Sequence, residues 1–311
     1  FIGILADPEK LLHVHINLGD GIVSRLALGH SQSSPGMWAG LCHEGDKYSV
    51  IVQADSEIKY GVIDSLAAKS ELGEMQIGCD LSTPAALVFL AVMDQYKRSH
   101  LISMLHHAEP IFFFSKKDIE ERLGGSHSHD FRWLLTFADK LMPLGVNQLA
   151  VSRDASEALA ELTTLGILGN MDEESSLFDL EPVTLSIAEG YRQKISVAGI
   201  GLTARIPTGD ILHDVFLLIR TPGDLLLTVM SGGEASLASI NALELQNLLD
   251  SILTVAPSEE KQDEEQMSVA AADTGEMSNK DKATNLKLFC KACGSKATAG
   301  AKFCGSCGGK L

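Results

Sequence analysis

Four cysteines near the carboxyl end constrain this chain more than any other feature of its sequence. Cys290 and Cys293 form one Cys-x-x-Cys pair, Cys304 and Cys307 form a second, and ten residues separate the two pairs. Two intervening residues let one tight turn deliver two thiolates to a single ion, and Zn²⁺ prefers four such soft ligands in a tetrahedron. The spacing therefore predicts one zinc ion bound by these four cysteines. Because four thiolates leave no open coordination position, the predicted site is structural and not catalytic.

The residues around the two pairs favour zinc over a disulfide or a redox dithiol. Gly294 and Gly308 follow the second cysteine of each pair, where a glycine lets the chain turn its amides back toward sulfur. A disulfide pair needs an oxidising compartment, and a redox Cys-x-x-Cys normally lies beside a βαβ pattern. A segment this short buries almost no core, so we expect it to fold only with metal bound.

The pattern F-C-x-x-C-G followed by K-F-C-x-x-C-G resembles the short zinc-ribbon modules found at one end of many bacterial and archaeal proteins. The resemblance covers residues 286–311, under a tenth of the chain. It implies a metal-binding contact module and leaves the function of the whole protein open, because such ribbons occur on proteins of many kinds.

Charge divides the chain into an acidic body, an acidic tether and a basic tip. Residues 256–285 contain eight acidic residues against three lysines and no aromatic residue, so they are predicted to form a disordered linker. Residues 286–311 carry five lysines and no acid, while the net charge of the whole chain is -16. Residues 1–255 therefore hold almost all of the negative charge, which argues against a body that binds nucleic acid through overall positive charge.

The body, residues 1–255, is predicted to be α+β. Two β-rich runs, Lys47–Ala54 and Ile58–Ile63, flank a short polar turn and indicate a hairpin. A strand near Met75–Leu81 leads to Ser82 and Pro84, which are typical of a helix start, and the predicted long helix covers Ala85–Leu105. Further predicted helices lie at Asp118–Leu123, capped by Ser115, and at Phe131–Leu141 and Ala155–Leu165.

The second half of the body follows a similar plan. Strands are predicted at Val215–Arg220, Leu225–Met230 and Glu234–Ile240, followed by a helix over Ala242–Leu253. This pattern suggests a duplicated β-meander-plus-helix unit, with halves 1–110 and 170–255 around a helical middle, 84–168. Two unrelated β-meanders followed by helices are the alternative.

The sequence carries no recognisable catalytic constellation. None of the common phosphate-loop, dinucleotide, zinc-protease, serine-hydrolase or EF-hand motifs occurs, and Gly199-Ile-Gly201 lacks the third glycine of a dinucleotide-binding turn. His127 and His129 are expected in a solvated loop, and His106-His107 at the end of a helix. His13 and His15 alternate with apolar residues, as on one face of a strand. We therefore predict no catalytic and no small-cofactor site, and favour a protein that is not an enzyme.

The layout of two β-containing halves around helices is similar to that of the cytosolic chaperones of the ESX (type VII) secretion family. The residues that carry the resemblance include Gly223-Asp224-Leu225-Leu226-Leu227. The resemblance implies a body that binds a protein partner; the zinc ribbon is foreign to that family.

Three functions remain open from the sequence. The first is a cytoplasmic, zinc-binding adaptor with a partner-binding body and a tethered ribbon. The second is a nucleic-acid-associated regulator that uses the lysines of the ribbon, and the third is an enzyme with an unrecognised active site in the body. The thiol usage favours a reducing compartment, and no apolar run reaches the roughly 18 residues of a membrane span. Oligomeric state, partner identity and whatever precedes Phe1 do not follow from the sequence.

Overall fold

The computed structural model of the chain describes residues 2–19, 23–44, 47–67, 76–110, 112–126, 129–172, 177–205 and 209–253. Within these residues an antiparallel sheet of nine strands carries helices on both faces, so the α+β prediction is confirmed. The strand order across the sheet is β4-β3-β2-β1-β9-β10-β11-β12-β5. The large sheet contains β1 (Lys10–Asn17), β2 (Val23–His30), β3 (Met37–Glu44), β4 (Lys47–Ala54), β5 (Gly78–Ser82), β9 (Ser196–Arg205), β10 (Ile211–Arg220), β11 (Leu225–Ser231) and β12 (Glu234–Ile240).

The helices and a small second sheet complete the described part of the chain. The small sheet has the order β6-β8-β7. Its strands are β6 (Phe114–Ser115), β7 (Leu168–Asp172) and β8 (Leu177–Leu180); the helices are α1 (Ile2–Ala6), α2 (Asp55–Leu66), α3 (Thr83–His106), α4 (Lys116–Gly124), α5 (Leu134–Leu141), α6 (Ser156–Thr164), α7 (Pro182–Arg192) and α8 (Ala242–Leu253).

The large sheet is built from two similar units that meet at its centre. Each unit is a meander of four strands followed by a helix: β1–β4 with α2, and β9–β12 with α8. β1 and β9 pair antiparallel, with Val14 opposite Ile200. The helices α2 and α8 lie side by side on one face, where Lys59 Nζ is 2.6 Å from Asp250 Oδ1.

The first unit begins and ends at positions that the sequence pattern did not predict. The predicted strand Ile58–Ile63 is wrong, because these residues lie inside α2. Ile58, Val62 and Leu66 recur every four residues and are buried on one face of this helix. The first meander-plus-helix unit therefore runs from Lys10 to Leu66, and neither the strand predicted near Met75–Leu81 nor the helix predicted over Ala85–Leu105 belongs to it.

Most other predicted elements are confirmed. Ser82 caps α3 by accepting a hydrogen bond from the Ala85 amide at 3.2 Å. Ser115 and Asp118 form the capping box of α4. Asn241 Oδ1 accepts the amides of Leu243 and Glu244 at the start of α8. The predicted bounds of β12 and α8 agree with the structure residue for residue.

Two apolar layers enclose the sheet. Phe216 and Leu218 of β10 join the core beneath α2 and α8, while Val215, Leu217 and Ile219 join the core beneath α3 and α5. This double burial explains why β10 contains an uninterrupted apolar run and does not alternate.

Two glycines of the central strand β9 let α5 lie close to the sheet. A Cβ added at Gly199 would lie 2.6 Å from Leu141 Cδ1 and 2.9 Å from Phe137 Cδ1, which is closer than real side chains approach. Gly199 and Gly201 are therefore packing positions in the middle of the sheet and not at its edge.

Candidate protein-binding surface

Helix α3 is buried along its first half and exposes apolar side chains at its carboxyl end. Every residue from Ala85 to Met93 is at most 1% exposed. By contrast, Met104 is 70% and Leu105 is 78% exposed. We use the name α3-end surface for this exposed apolar group, which comprises Leu101, Ile102, Met104, Leu105, Phe112 and Phe113.

Local structure holds the α3-end surface in place. The helix ends at His106, and His107 adopts the left-handed conformation (φ 50°) with its amide bonded to the Ser103 carbonyl. The chain then returns toward β6, where the side chain of Phe114 is buried. Phe112 stacks on Tyr96 with ring centroids 5.7 Å apart, so its ring is held against the helix although 42% of it is exposed. The prediction that His106-His107 end a helix is confirmed.

A cavity of about 490 Å³ opens beside the exposed helix end. It extends between α3, the segment that follows it, and the start of α4. Its lining surface is mainly apolar, from residues such as Ile102, Phe113 and Phe114, but it also includes hydroxyls and the acidic residues Glu109 and Asp118. A cavity of this size accommodates one or two large side chains of another molecule.

The charged groups next to this surface are paired with one another. The Tyr96 hydroxyl donates a short hydrogen bond to Glu189, which also accepts from Arg192 Nε at 2.9 Å. Burial disfavours the Glu189 carboxylate, but these hydrogen bonds hold its pKa below the usual value. Burial lowers the pKa of His100, which lies against Tyr96 and Phe112, and so favours the neutral form of this ring. The described side chains around the helix end therefore present an apolar patch with a small polar rim.

A second polar group lies deeper, where α3 meets α5 and α7. Asp94 of α3 accepts the amides of Leu134 and Leu135 at 2.9 and 3.0 Å and the Tyr191 hydroxyl at 2.7 Å. Burial raises the pKa of Asp94, while the three hydrogen bonds and Lys194 oppose that rise. Since Asp94 is only 1% exposed and its donors are backbone and tyrosine groups, it serves as the N-terminal cap of α5.

Two lysines cover this cap from the solvent side. Lys97 and Lys194 each donate to the Arg132 carbonyl at 3.3 Å and lie over the Tyr191 ring. Burial, together with the like charge of Lys97, lowers the pKa of Lys194 to about 8. The arrangement ties α3, α5 and α7 together.

The histidines noted in the sequence do not converge on a metal. His13 and His15 share one face of β1, as predicted. The His15 and Phe131 rings pack edge to face with their centroids 5.4 Å apart. His127 lies outside the described residues, and His129 is exposed in the segment before α5. In the part of the chain that the structure describes, no group of three or more His, Cys, Asp or Glu residues is close enough to hold a metal ion.

The four predicted zinc ligands, Cys290, Cys293, Cys304 and Cys307, lie outside the described residues, as do the predicted linker 256–285 and ribbon 286–311. Zinc binding at these cysteines stays a prediction. The proposed division of the body into halves 1–110 and 170–255 around 84–168 also stays a prediction.

The α3-end surface was not among the sites predicted from the sequence. The signal was present in Leu101–Leu105, a run with four large apolar residues out of five, and in the three phenylalanines at 112–114. A helix that is apolar on all sides is normally buried, so the exposed end of such a helix is the informative feature. Sequence alone does not say which part of the helix other elements cover.

Comparison with known proteins gives a distant structural likeness. The sequence matches no protein-family model and no curated protein. Among the described helices, none is both long and apolar enough to cross a membrane. This chain resembles the Mycobacterium tuberculosis type VII secretion system chaperone EspG5, whose structure was solved in complex with a PE25–PPE41 dimer. The aligned region covers 83% of this chain and 77% of the EspG5 chain, with 9% sequence identity and a TM-score of 0.37. At that score the similarity is weak and assigns neither a family nor a function to this chain.

Proposed function

We propose that this chain is a non-catalytic adaptor that binds another protein through the α3-end surface. The observation that carries the proposal is the exposure of six large apolar side chains around one helix end, in a molecule whose core is otherwise closely packed. Contiguous exposed apolar patches are uncommon on monomeric soluble proteins and mark binding surfaces.

The chemistry of the α3-end surface fits an amphipathic helix of the partner. Leucine, isoleucine, methionine and phenylalanine side chains adapt their packing to an apolar helix face, and methionine is especially adaptable. The adjoining cavity would receive one anchor side chain, while the exposed end of α3 would pack along the partner helix. The lining surface is mainly apolar, so we expect affinity to come chiefly from apolar burial and less from the exposed Glu109 beside it.

Site-specific photo-crosslinking tests the proposed interface. A photoreactive phenylalanine analogue in place of Phe112, which is 42% exposed, should form a covalent adduct with the partner in cells of the source organism. The analogue in place of Tyr60, which is 64% exposed on α2, is the matched control and should form no such adduct. Adding Leu105→Glu to the Phe112 variant should reduce the adduct at least about tenfold, because a buried unpaired carboxylate opposes binding.

The outcome that contradicts the proposal is equally specific. Equal adducts at positions 112 and 60, or an adduct at 112 that Leu105→Glu leaves unchanged, would show that the helix end is not the interface. Circular dichroism of each variant should match the parent protein, since the replaced side chains are largely exposed.

The proposal includes one structural zinc ion held by the four carboxyl-terminal cysteines, in a protein that works in the reducing cytoplasm. The donor set supports it, because four thiolates in this spacing suit Zn²⁺ and stay reduced in that compartment. The lysines of the ribbon leave its tip near +3 after zinc binding, which suits a second contact with an acidic partner.

Elemental analysis checks the zinc assignment. The purified chain should contain about one zinc per molecule, and the double change Cys290→Ser with Cys293→Ser should remove it, because two remaining thiolates bind zinc far more weakly. Cys79→Ser is the matched control and should keep the metal, since Cys79 is a half-buried cysteine of β5 away from the motif. Zinc retained by the double variant would mean that other residues bind it.

A further inference from the structure

We infer that the chain forms a two-fold symmetric dimer in which the β4 edge strands of two copies pair antiparallel. The described sheet ends at β4 on one side and at β5 on the other, and no described strand pairs with the outer side of either. The two edges differ in the features by which proteins prevent unwanted strand pairing.

The β5 edge is protected against pairing with another strand, and the β4 edge is not. β5 is five residues long and presents the exposed residue Asp80. β4 is eight residues long, pairs with β3 in an unbroken register, and contains no proline and no charged residue between Tyr48 and Ala54. Short length, charge and bulges are the usual protections of an edge, so their absence on β4 indicates an edge that pairs.

The backbone of β4 has free groups in the correct alternation. The Asp55 amide donates to the Gly36 carbonyl at 3.1 Å. This bond fixes the ladder so that the main-chain N–H and C=O groups of the odd-numbered residues of β4 point toward β3. The amides and carbonyls of Val50 and Val52 therefore point away from the sheet. The Ala54 amide, which also points outward, is already bonded to Glu57 Oε2 at 2.9 Å.

One antiparallel register satisfies these groups in both copies. With Ile51 on the two-fold axis, Val50 of one copy lies opposite Val52 of the other, and the pair can exchange both of its main-chain hydrogen bonds. The β4 residues next to the axis, from Ser49 to Gln53, carry no charge, so no like charges face each other across this part of the ladder.

The apolar side chains on one face of the sheet would become continuous across the axis. Leu41 of β3 is 61% exposed and lies opposite Val50, which is 49% exposed. In the dimer, Leu41 and Val50 would be followed by the partner's Val52 and then the partner's Ala39. This pairing is two-fold symmetric and uses the β4 edge of both copies, so at this edge it closes as a dimer and does not extend into a filament.

Light scattering and amide hydrogen exchange on the full-length chain test the inference. Between roughly 1 and 200 μM, a typical range for modest homodimers, the mass should rise toward twice that of one chain. Over the same range the amides of Val50 and Val52 should become protected from exchange. Val50→Lys should raise the dimer dissociation constant at least about tenfold, because each lysine would place a charge opposite the partner's Val52 and diagonally across the axis from the second lysine.

Leu212→Lys is the matched control. Leu212 is 50% exposed on β10, which is an inner strand, so this variant should dimerise like the parent. A chain that stays monomeric across the concentration range would overturn the inference. A dimer whose Val50 and Val52 amides exchange freely, or whose mass is unaffected by Val50→Lys, would overturn it equally, because another surface would then hold the copies together.

Discussion

Replacing Asp94 by alanine should lower the free energy of unfolding by about 3 kcal/mol. The change leaves the amides of Leu134 and Leu135 and the Tyr191 hydroxyl without their acceptor in a buried site. Each unsatisfied buried donor costs about 1–3 kcal/mol, and the loss is partly offset because a buried carboxylate is itself removed. Guanidinium unfolding of the full-length protein, followed by circular dichroism, measures the difference.

Two further variants separate capping from simple packing. Tyr191→Phe keeps both amide contacts of Asp94 and should cost only about 1 kcal/mol. Asp94→Asn keeps the size of the side chain but turns one acceptor oxygen into an amino group, so it should cost about 2 kcal/mol. Equal losses in Asp94→Ala and Tyr191→Phe would contradict the role assigned to Asp94, because the cap amides would then contribute nothing.

The second large effect is a loss of stability on acidification through His15. Burial, together with Arg25, His13 and Lys140, lowers the pKa of His15 to about 4 in the folded protein. An unfolded histidine titrates near 6.5, so between pH 6.5 and 4 the unfolded state binds a proton that the folded state does not. The contribution of neutral His15 to the free energy of unfolding is therefore fully present above pH 6.5 and is lost as the pH falls to 4.

The expected size of this loss is about 2 kcal/mol, allowing for the 9% of the residue that water still reaches. The measurement compares unfolding free energies of the parent chain and of His15→Gln at pH 7 and pH 4.5. Because carboxylates titrate in both proteins, the difference between the two pH dependences isolates His15. Parallel curves for the two proteins would show that His15 titrates normally, and that Arg25 and the Phe131 ring do not restrict its charge.

Secondary structure in the second half of the body was predictable because local signals agreed with tertiary packing. The Asn241 side chain caps the start of α8 by accepting the Glu244 amide, and the Glu244 side chain accepts the Asn241 amide in return. All the residues of this cap lie within four positions of one another. The β12 strand and α8 were bounded correctly for this reason. The same local completeness explains the correct start of α3 at Ser82.

Helices whose ends depend on distant residues were predicted less well. Helix α5 was expected from Phe131 but begins at Leu134, after Trp133, which makes no side-chain cap bond. Its cap is Asp94, forty residues earlier in the chain. No local pattern could show this. For α2, β-branched residues suggested a strand, but burial of Ile58, Val62 and Leu66 against the sheet stabilised a helix.

The candidate surfaces divide in the same way. The zinc ligands were assigned from spacing alone, because the chemistry needs only four cysteines at fixed separations, and they await a direct test. The α3-end surface and the β4 edge depend on what other elements leave uncovered. Exposure of Leu105 and the outward amides of Val50 and Val52 are consequences of the strand order and of where α5 and α7 end.

By itself, the sequence determined the α+β class, most element boundaries of the second half, the charge division of the chain and the predicted metal ligands, because each depends on neighbours within a few residues. The tertiary structure decided which apolar residues stay exposed, where the sheet ends and which carboxylate caps α5. These depend on contacts between residues tens to hundreds of positions apart, and burial there is settled by the whole packing arrangement and not by any local pattern.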